Sequence, residues 1–599
     1  MVPMRDGVKL ATDIYLPDNL DAPVPVILHR TPYDKSRKGA VEAAEFFTAH
    51  GYAVVFQDCR GRYQSEGIFT KYLNEPEDSY DSVEWVGTQP WSNGKVGMRG
   101  GSYLGHVQAG AAKLNPPHLS TIVVTVGGTS NGWNHAIRNH GALALKQLTW
   151  AFSNLRSETD DPVVKAHMRN ESIGDWFQAL PWKRGNNPLS VSPEFESYVF
   201  EIWEHPNYDA FWKQMGLNWA EYYEQTSDIP MVHISGWYDN YCQTAIDNYL
   251  GLSRLKKSPI HLLLGPWTHS VATSSHAGDV EFGEVAKIPD FYNEWHLRWY
   301  DEFLKGQDRG IAGSAPVSLF VMGSSDGHKD AEGRLFHGGY WIQGSEWPLP
   351  ETMFTPFYLH PSGKLSTKVP SPDAASASYV FDPANPVPTI GGSMAASQPI
   401  WTGGAFDQRE RLYEGDPETG FYGSKAPYLP LAARSDILVY QTEPLAEDML
   451  VVGPIEVMLH VSSDRPDTDF TAKLIDVYPP SEDFPGGFAM NLTDGILRAR
   501  YRNSPEKPEW MEAGKVYKLT IRPFGTANLF KKGHRIRLNI SSSNFPRFDV
   551  NPNTGDQPGM EQVMLKALNT VHQSKETPSI LLLPLVPVSA YPVPNEPNQ

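Results

Sequence analysis

Gly100-Gly101-Ser102-Tyr103-Leu104-Gly105 has the residue types of a sharp strand-to-helix turn that presents a serine. Glycines two before and three after Ser102 remove the Cβ atoms that would collide in so tight a bend, leaving the hydroxyl raised above the backbone. A serine hydroxyl is a weak nucleophile until an imidazole takes its proton, and the imidazole needs a carboxylate to fix its tautomer. Downstream, the apolar run Met231-Val232-His233-Ile234-Ser235 breaks at Gly236-Trp237-Tyr238-Asp239, and Ile260-His261-Leu262-Leu263-Leu264 ends in Gly265-Pro266-Trp267-Thr268-His269. Each run reads as a buried strand followed by a loop, which is where open α/β sheets place ligands and reactive groups. Ser102 is therefore the candidate nucleophile, Asp239 the acid and His269 the base, a constellation suited to acyl transfer. A loop histidine is ordinarily a solvated residue, and the strand context is what separates His269 from the other histidines. His106 falls on the helix after the turn, and His233 and His261 fall within strands, so these three keep a structural reading. Asp239 taken alone is a turn former; its place before His269 gives it the larger role.

Positioning these groups requires alternating strands and helices. Residues 95–99 read as a short buried strand and 103–113 as a helix, and up to about residue 125 the pattern is that of a βαβ sheet. Residues 128–228 are rich in tryptophan at helical spacing (Trp133, Trp150, Trp176, Trp182, Trp203, Trp212) and read as an inserted helical cap. Most of those tryptophans are expected in the cap's own core, with the cap overhanging the serine. The sheet resumes over 229–310 and closes with a helix carrying Trp295, Trp299 and Phe303. From 315 to 590 short strands alternate with Gly, Pro and Asn turns, at 317–322, 355–360, 437–441, 455–462, 470–478, 516–521 and 535–541, and predict an all-β sandwich.

A chain of 599 residues is too long for one core and should divide into two to four domains. Its net charge of −18 argues against a nucleic-acid partner, whose phosphates it would repel. Cys59 and Cys242 are the only cysteines, so no disulfide framework is expected and both read as free thiols. His135 and His140 read as too isolated from carboxylates or cysteines to hold zinc, and no cofactor or metal is expected. No run approaches the ~20 apolar residues of a membrane span, and the segment 580–588 is short, broken by proline and reads as a late strand. The first residues lack the pattern of a signal peptide, which points to the cytoplasm; a homo-oligomer is compatible with the composition.

Gly-x-Ser-Tyr-x-Gly at 100–105, Gly-Trp-Tyr-Asp at 236–239 and Gly-Pro-Trp-x-His at 265–269 together resemble the cocaine esterase-like branch of the X-Pro dipeptidyl-peptidase superfamily. Val2-Pro3-Met4-Arg5-Asp6-Gly7, Gln57-Asp58-Cys59-Arg60-Gly61, Arg298-Trp299-Tyr300-Asp301 and Phe381-Asp382-Pro383-Ala384-Asn385-Pro386 extend the similarity over nearly the whole chain. The resemblance implies an α/β-hydrolase fold with an inserted helical cap and a C-terminal jelly roll, and a serine hydrolase of carboxylic esters acting on a small molecule. It also implies that Tyr33, after the strand-like run 24–29, and the backbone N–H of Tyr103 form the oxyanion hole. Asp58 and Arg60 read as structural, tying the nearby loop. One departure from the family pattern is the longer segment 410–433, expected to be an ordered loop at the pocket mouth. Relatives that hydrolyse α-amino-acid esters carry a Glu-Asp pair just after the catalytic acid; this chain has Asn240, Tyr241 and Cys242. A substrate ammonium would lack a counter-charge there, which favours an uncharged or acidic acyl group, with glutaryl-acylase or X-Pro dipeptidyl-peptidase amide cleavage as the alternative.

Overall fold

Strands of six to ten residues, mostly apolar and buried on both faces over their central portions, form the centre of the N-terminal sheet, as parallel strands covered by helices must. A computed structural model describes residues 1–594 except 160, 271, 395–399, 412–420 and 557–562. The strands are β1 (Thr12–Tyr15), β2 (Val24–Thr31), β3 (Ala53–Asp58), β4 (Ser92–Gly101), β5 (Leu119–Thr125), β6 (Met231–Gly236), β7 (Ile260–Gly265), β8 (Val317–Met322) and β9 (Gly339–Gly344). Their spatial order is β1-β3-β2-β4-β5-β6-β7-β8-β9, parallel from β3 to β8 with an antiparallel strand at each edge. From β2 the chain steps to β3 on one side and then returns to β4 on the other. The order therefore reverses between β2 and β4, the switch point where α/β sheets open a crevice at their carboxyl ends. Helices α1 (Lys38–Ala49), α2 (Glu75–Gly87) and α3 (Tyr103–Leu114) connect these first strands.

Between β5 and β6 the chain forms α4 (Lys146–Glu158), α5 (Pro162–Asn170), α6 (Ile173–Gln178) and α7 (Pro193–Glu204). Trp133, Trp182, Trp203 and Trp212 are buried there, as expected for packing residues, while Trp150 and Trp176 are only partly covered. Helices α8 (Cys242–Ser253) and α9 (His296–Phe303) complete the helical layers.

The strand 317–322, assigned from sequence to the C-terminal sandwich, belongs to the first sheet. It pairs parallel to β7 (Leu262 opposite Val317) and antiparallel to β9, and touches the later strands at Met322 opposite Asn528. Its unbroken apolar run, Val-Ser-Leu-Phe-Val-Met, suits a strand buried between neighbours in either sheet, so pairing partners had to decide. Beyond it the remaining strands pair almost entirely antiparallel, among them Glu456–Ser463 with Tyr517–Ile521 and Asp469–Tyr478 with Arg535–Ser541. Over 456–461 of the strand Glu456–Ser463, burial alternates with the sequence.

Cys59 and Cys242 are buried free thiols. His135 and His140 are less isolated than their sequence suggests. Their rings lie 5.5 Å apart, and His135 Nε2 is 3.4 Å from Asp247 Oδ2, a contact made by a helix over a hundred residues away. Even so, no group of three or more His, Cys, Asp or Glu is placed to hold a metal among the described residues. No helix among them is long and apolar enough to cross a membrane. In the segment 410–433, residues 412–420 lie outside the described residues; of the rest, Phe421 packs edge-on against Phe406 at 5.1 Å and Tyr422 donates to the Gly174 carbonyl at 3.1 Å.

Candidate active site

β4 turns into α3 at Ser102, whose backbone sits at φ 59° and ψ −121°, a conformation that side-chain-bearing residues seldom adopt. The turn is enforced from both sides. Ser102 N–H donates to the Thr125 carbonyl at 3.0 Å and its carbonyl accepts from Gly105 N–H at 2.9 Å. A Cβ at Gly127 would come within 2.3 Å of the Ser102 carbonyl oxygen, so the neighbouring strand can approach only because that residue is glycine. The result is a partly exposed hydroxyl at the carboxyl edge of the sheet.

Asp239 and His269 stand on the same edge. Gly101, Thr125, Ile234 and Leu263 are successive register partners across β4, β5, β6 and β7, so the loops that follow these strands leave the sheet at one level. Asp239 is fully buried, and its Oδ2 lies 2.6 Å from His269 Nδ1. Its other oxygen accepts from Tyr241 N–H at 2.7 Å and from Ser235 Oγ at 3.2 Å. A carboxylate on Nδ1 makes that nitrogen the donor and leaves Nε2 as the acceptor on the far side of a ring that is 24 % exposed. Among the described residues the Ser102 hydroxyl makes no hydrogen bond to that imidazole.

Tyr33 lies two residues past the end of β2, across the switch point from Ser102. Its Oη accepts from Trp150 Nε1 at 3.2 Å, and its ring meets Tyr103 edge-on at 6.3 Å. The loop is fixed by Asp58, which accepts from Lys35 N–H at 2.8 Å, and by Arg62, which donates to the Pro32 carbonyl at 3.0 Å. Burial pushes the Asp58 carboxyl up to about 6. Arg60 pairs with Asp78 and Asp6, both at 2.6 Å, a tie between loop and helix. The Tyr103 amide opens α3 and has no carbonyl one turn back to receive it. Its side chain points the other way, donating to Glu75 at 2.9 Å, and Glu75 in turn holds the buried Arg30 at 2.7 Å.

Lys146 was not singled out by sequence, and Trp150 was read only as a cap packing residue. Lys146 and Trp150, one turn apart on α4, both reach toward this crevice, Trp150 to Tyr33 and Lys146 to the Tyr241 hydroxyl at 3.2 Å. Tyr241 Oη is also 3.4 Å from His106 Nε2. A lysine four residues before a tryptophan at a helix start was the available signal, but it is indistinguishable from a surface lysine until the helix is placed.

Against known proteins, the sequence is 34 % identical to the cocaine esterase of a Rhodococcus species (strain MB1 Bresler), over 98 % of each chain. The chain belongs to the cocaine esterase-like family of serine hydrolases. Family profiles divide it in two: residues 6–271 match the X-Pro dipeptidyl-peptidase (S15 family), and 309–582 match the X-Pro dipeptidyl-peptidase C-terminal non-catalytic domain. Among solved structures, an aminopeptidase from a marine sediment archaeon of the Thaumarchaeota superposes with a TM-score of 0.76 at 25 % identity. An α-amino acid ester hydrolase superposes with 0.75 at 28 %; each comparison covers 98 % of this chain and 95 % of the other. The α/β fold of the family and its C-terminal domain thus account for both halves of this member.

Proposed function

We propose that this family member hydrolyses carboxylic esters through an acyl-enzyme on Ser102, with His269 as base and Asp239 as the acid that orients it. The observation that carries the reading is the 2.6 Å bond from His269 to a fully buried Asp239, on the same sheet edge as a serine held in a strained backbone. Ser102 Oγ attacks the ester carbonyl while its proton passes to His269 Nε2. The Tyr33 hydroxyl and the Tyr103 N–H donate to the oxygen that becomes negative. A phenol oxygen that accepts from Trp150 keeps its own proton to donate. Collapse expels the alkoxide, which takes the proton from His269, and water repeats the sequence to release the acid. The hydrogen bond from Ser102 to His269 is of the kind that forms on substrate binding rather than in the free enzyme.

In this reading 1–127 and 229–310 form the α/β-hydrolase domain, 128–228 the helical cap that limits water, and 315–590 a jelly roll whose first strand completes the hydrolase sheet. Ser102→Ala should abolish turnover of p-nitrophenyl butyrate and labelling by a fluorophosphonate while leaving the circular dichroism unchanged. Persistent turnover would overturn the assignment. A peptidase reading follows the names of the family profile and of the archaeal aminopeptidase, but Asn240, Tyr241 and Cys242 offer no carboxylate for a free amino terminus. An X-Pro-nitroanilide assay separates the two.

A further inference from the structure

Two lysines are buried beside the crevice with no anion to match them. Lys146 is 6 % exposed and Lys71 3 % exposed. Lys146 Nζ contacts the Tyr241 hydroxyl at 3.2 Å and lies 4.3 Å from the centre of that ring. Lys71 Nζ contacts Gln147 Oε1 and Tyr198 Oη, both at 3.1 Å, and sits 3.4 Å from the Trp150 ring centre. Among the described residues no carboxylate is within ion-pair distance of either. The acids in this part of the molecule are committed elsewhere. Glu75 holds Arg30, Asp239 holds His269, and Asp247 takes Gln243 and Ser130.

Burying an ammonium without a counter-charge costs several kcal/mol, and such an arrangement persists where function uses it. The position of Lys146 indicates the use. Through Tyr241 it adjoins the Asp239–His269 pair, and its neighbour one turn along α4 touches Tyr33. Lys146 is thus one residue, Tyr241, away from the acid–base pair, and one helical turn from the tryptophan that bonds Tyr33. Resting on the ester hydrolase reading, we propose that the substrate carries a second group, an anionic carboxylate, which Lys146 receives as principal counter-charge with Lys71 behind it. Burial holds the Lys146 amine down to about 7, against the opposing pull of Asp239, and lowers Lys71 well below its ordinary range, with Lys146 as an added cause. The charged or titratable groups that interact with Lys146 are Asp239, Tyr241, His106 and Lys71.

The test compares esters that differ in charge alone: monomethyl with dimethyl glutarate, for a carboxylate on the acyl side, and butyrylglycolate with its methyl ester, for one on the alcohol side. For one pair the ratio of kcat/KM, anionic over neutral, should exceed about tenfold at pH 6.5 and fall as pH rises through 7 to 9. Catalytic steps common to both members cancel in the ratio. Lys146→Met should collapse that ratio, and Lys146→Gln serves if the first variant does not fold. Calorimetry with Ser102→Ala should show tighter binding of the anionic member without any turnover. Equal or inverted ratios for both pairs in the unsubstituted enzyme overturn the inference, as does a ratio unchanged by either Lys146 variant. Absence of all ester turnover and of fluorophosphonate labelling at Ser102 would instead overturn the hydrolase reading itself.

Discussion

Ser102 holds a positive φ because the residues around it leave no alternative: Gly127 presses on its carbonyl, and Thr125 and Gly105 hold its two backbone polar groups. Strain of this kind, about 1–3 kcal/mol, lifts the hydroxyl clear of the sheet. In the proposed mechanism Tyr33 works with it from the other side of the switch point, and Tyr33→Phe should lower kcat by about ten- to a thousandfold with a smaller change in KM, since an oxyanion donor acts most in the transition state. A proportional rise in KM alone would make Tyr33 a binding residue. Lys146 makes an opposite kind of prediction, on stability. Its amine titrates near 7 in the folded protein and near 10.5 when unfolded, so the unfolded chain binds the proton more tightly between those values. Stability should therefore rise with pH over that interval, the penalty being complete below about 7. Lys146→Met should raise the thermal midpoint at pH 6, by about 1–4 kcal/mol of stability, and by much less at pH 10. A gain independent of pH would refute the buried-ammonium account.

In the proposed mechanism α4 is the element that joins the cap to the chemistry. Its residues 146 and 150 project from one face, so a single helix sets both the lysine beside Tyr241 and the indole that positions Tyr33. Trp150→Phe keeps an aromatic ring but removes the N–H together with the five-membered ring. One neutral hydrogen bond is worth about 1 kcal/mol, so kcat should fall about fivefold while folding is retained. Unaltered kcat with Tyr33→Phe impaired would mean that Tyr33 is positioned by its loop alone, through Asp58 and Arg62.

At the scale of the whole molecule the two family-matched halves are not separable pieces. β8 supplies the parallel neighbour that covers the edge of β7, the strand leading to His269, and Tyr238, adjacent to Asp239, donates to the Asn491 carbonyl at 3.0 Å. A fragment ending at residue 310 would expose β7 as an unpaired apolar edge. It should be insoluble and fail to react with a fluorophosphonate; a soluble, labelled fragment would show that the C-terminal half is dispensable for the site.

Much of this was legible in the chain itself. The turn at 100–105, the apolar runs ending at Gly236 and Gly265, and the carboxylate and imidazole after them are local patterns, because a residue's place relative to a strand end depends on only a few neighbours. Alternating burial over 456–461 was readable for the same reason. Tertiary structure alone decided which strands pair and what long-range contacts each side chain meets. It moved 317–322 into the first sheet, brought Asp247 to His135, and left Lys146 and Lys71 buried without an acid. Pairing of strands and of charges is settled between residues tens to hundreds of positions apart, and no short window of sequence contains both partners.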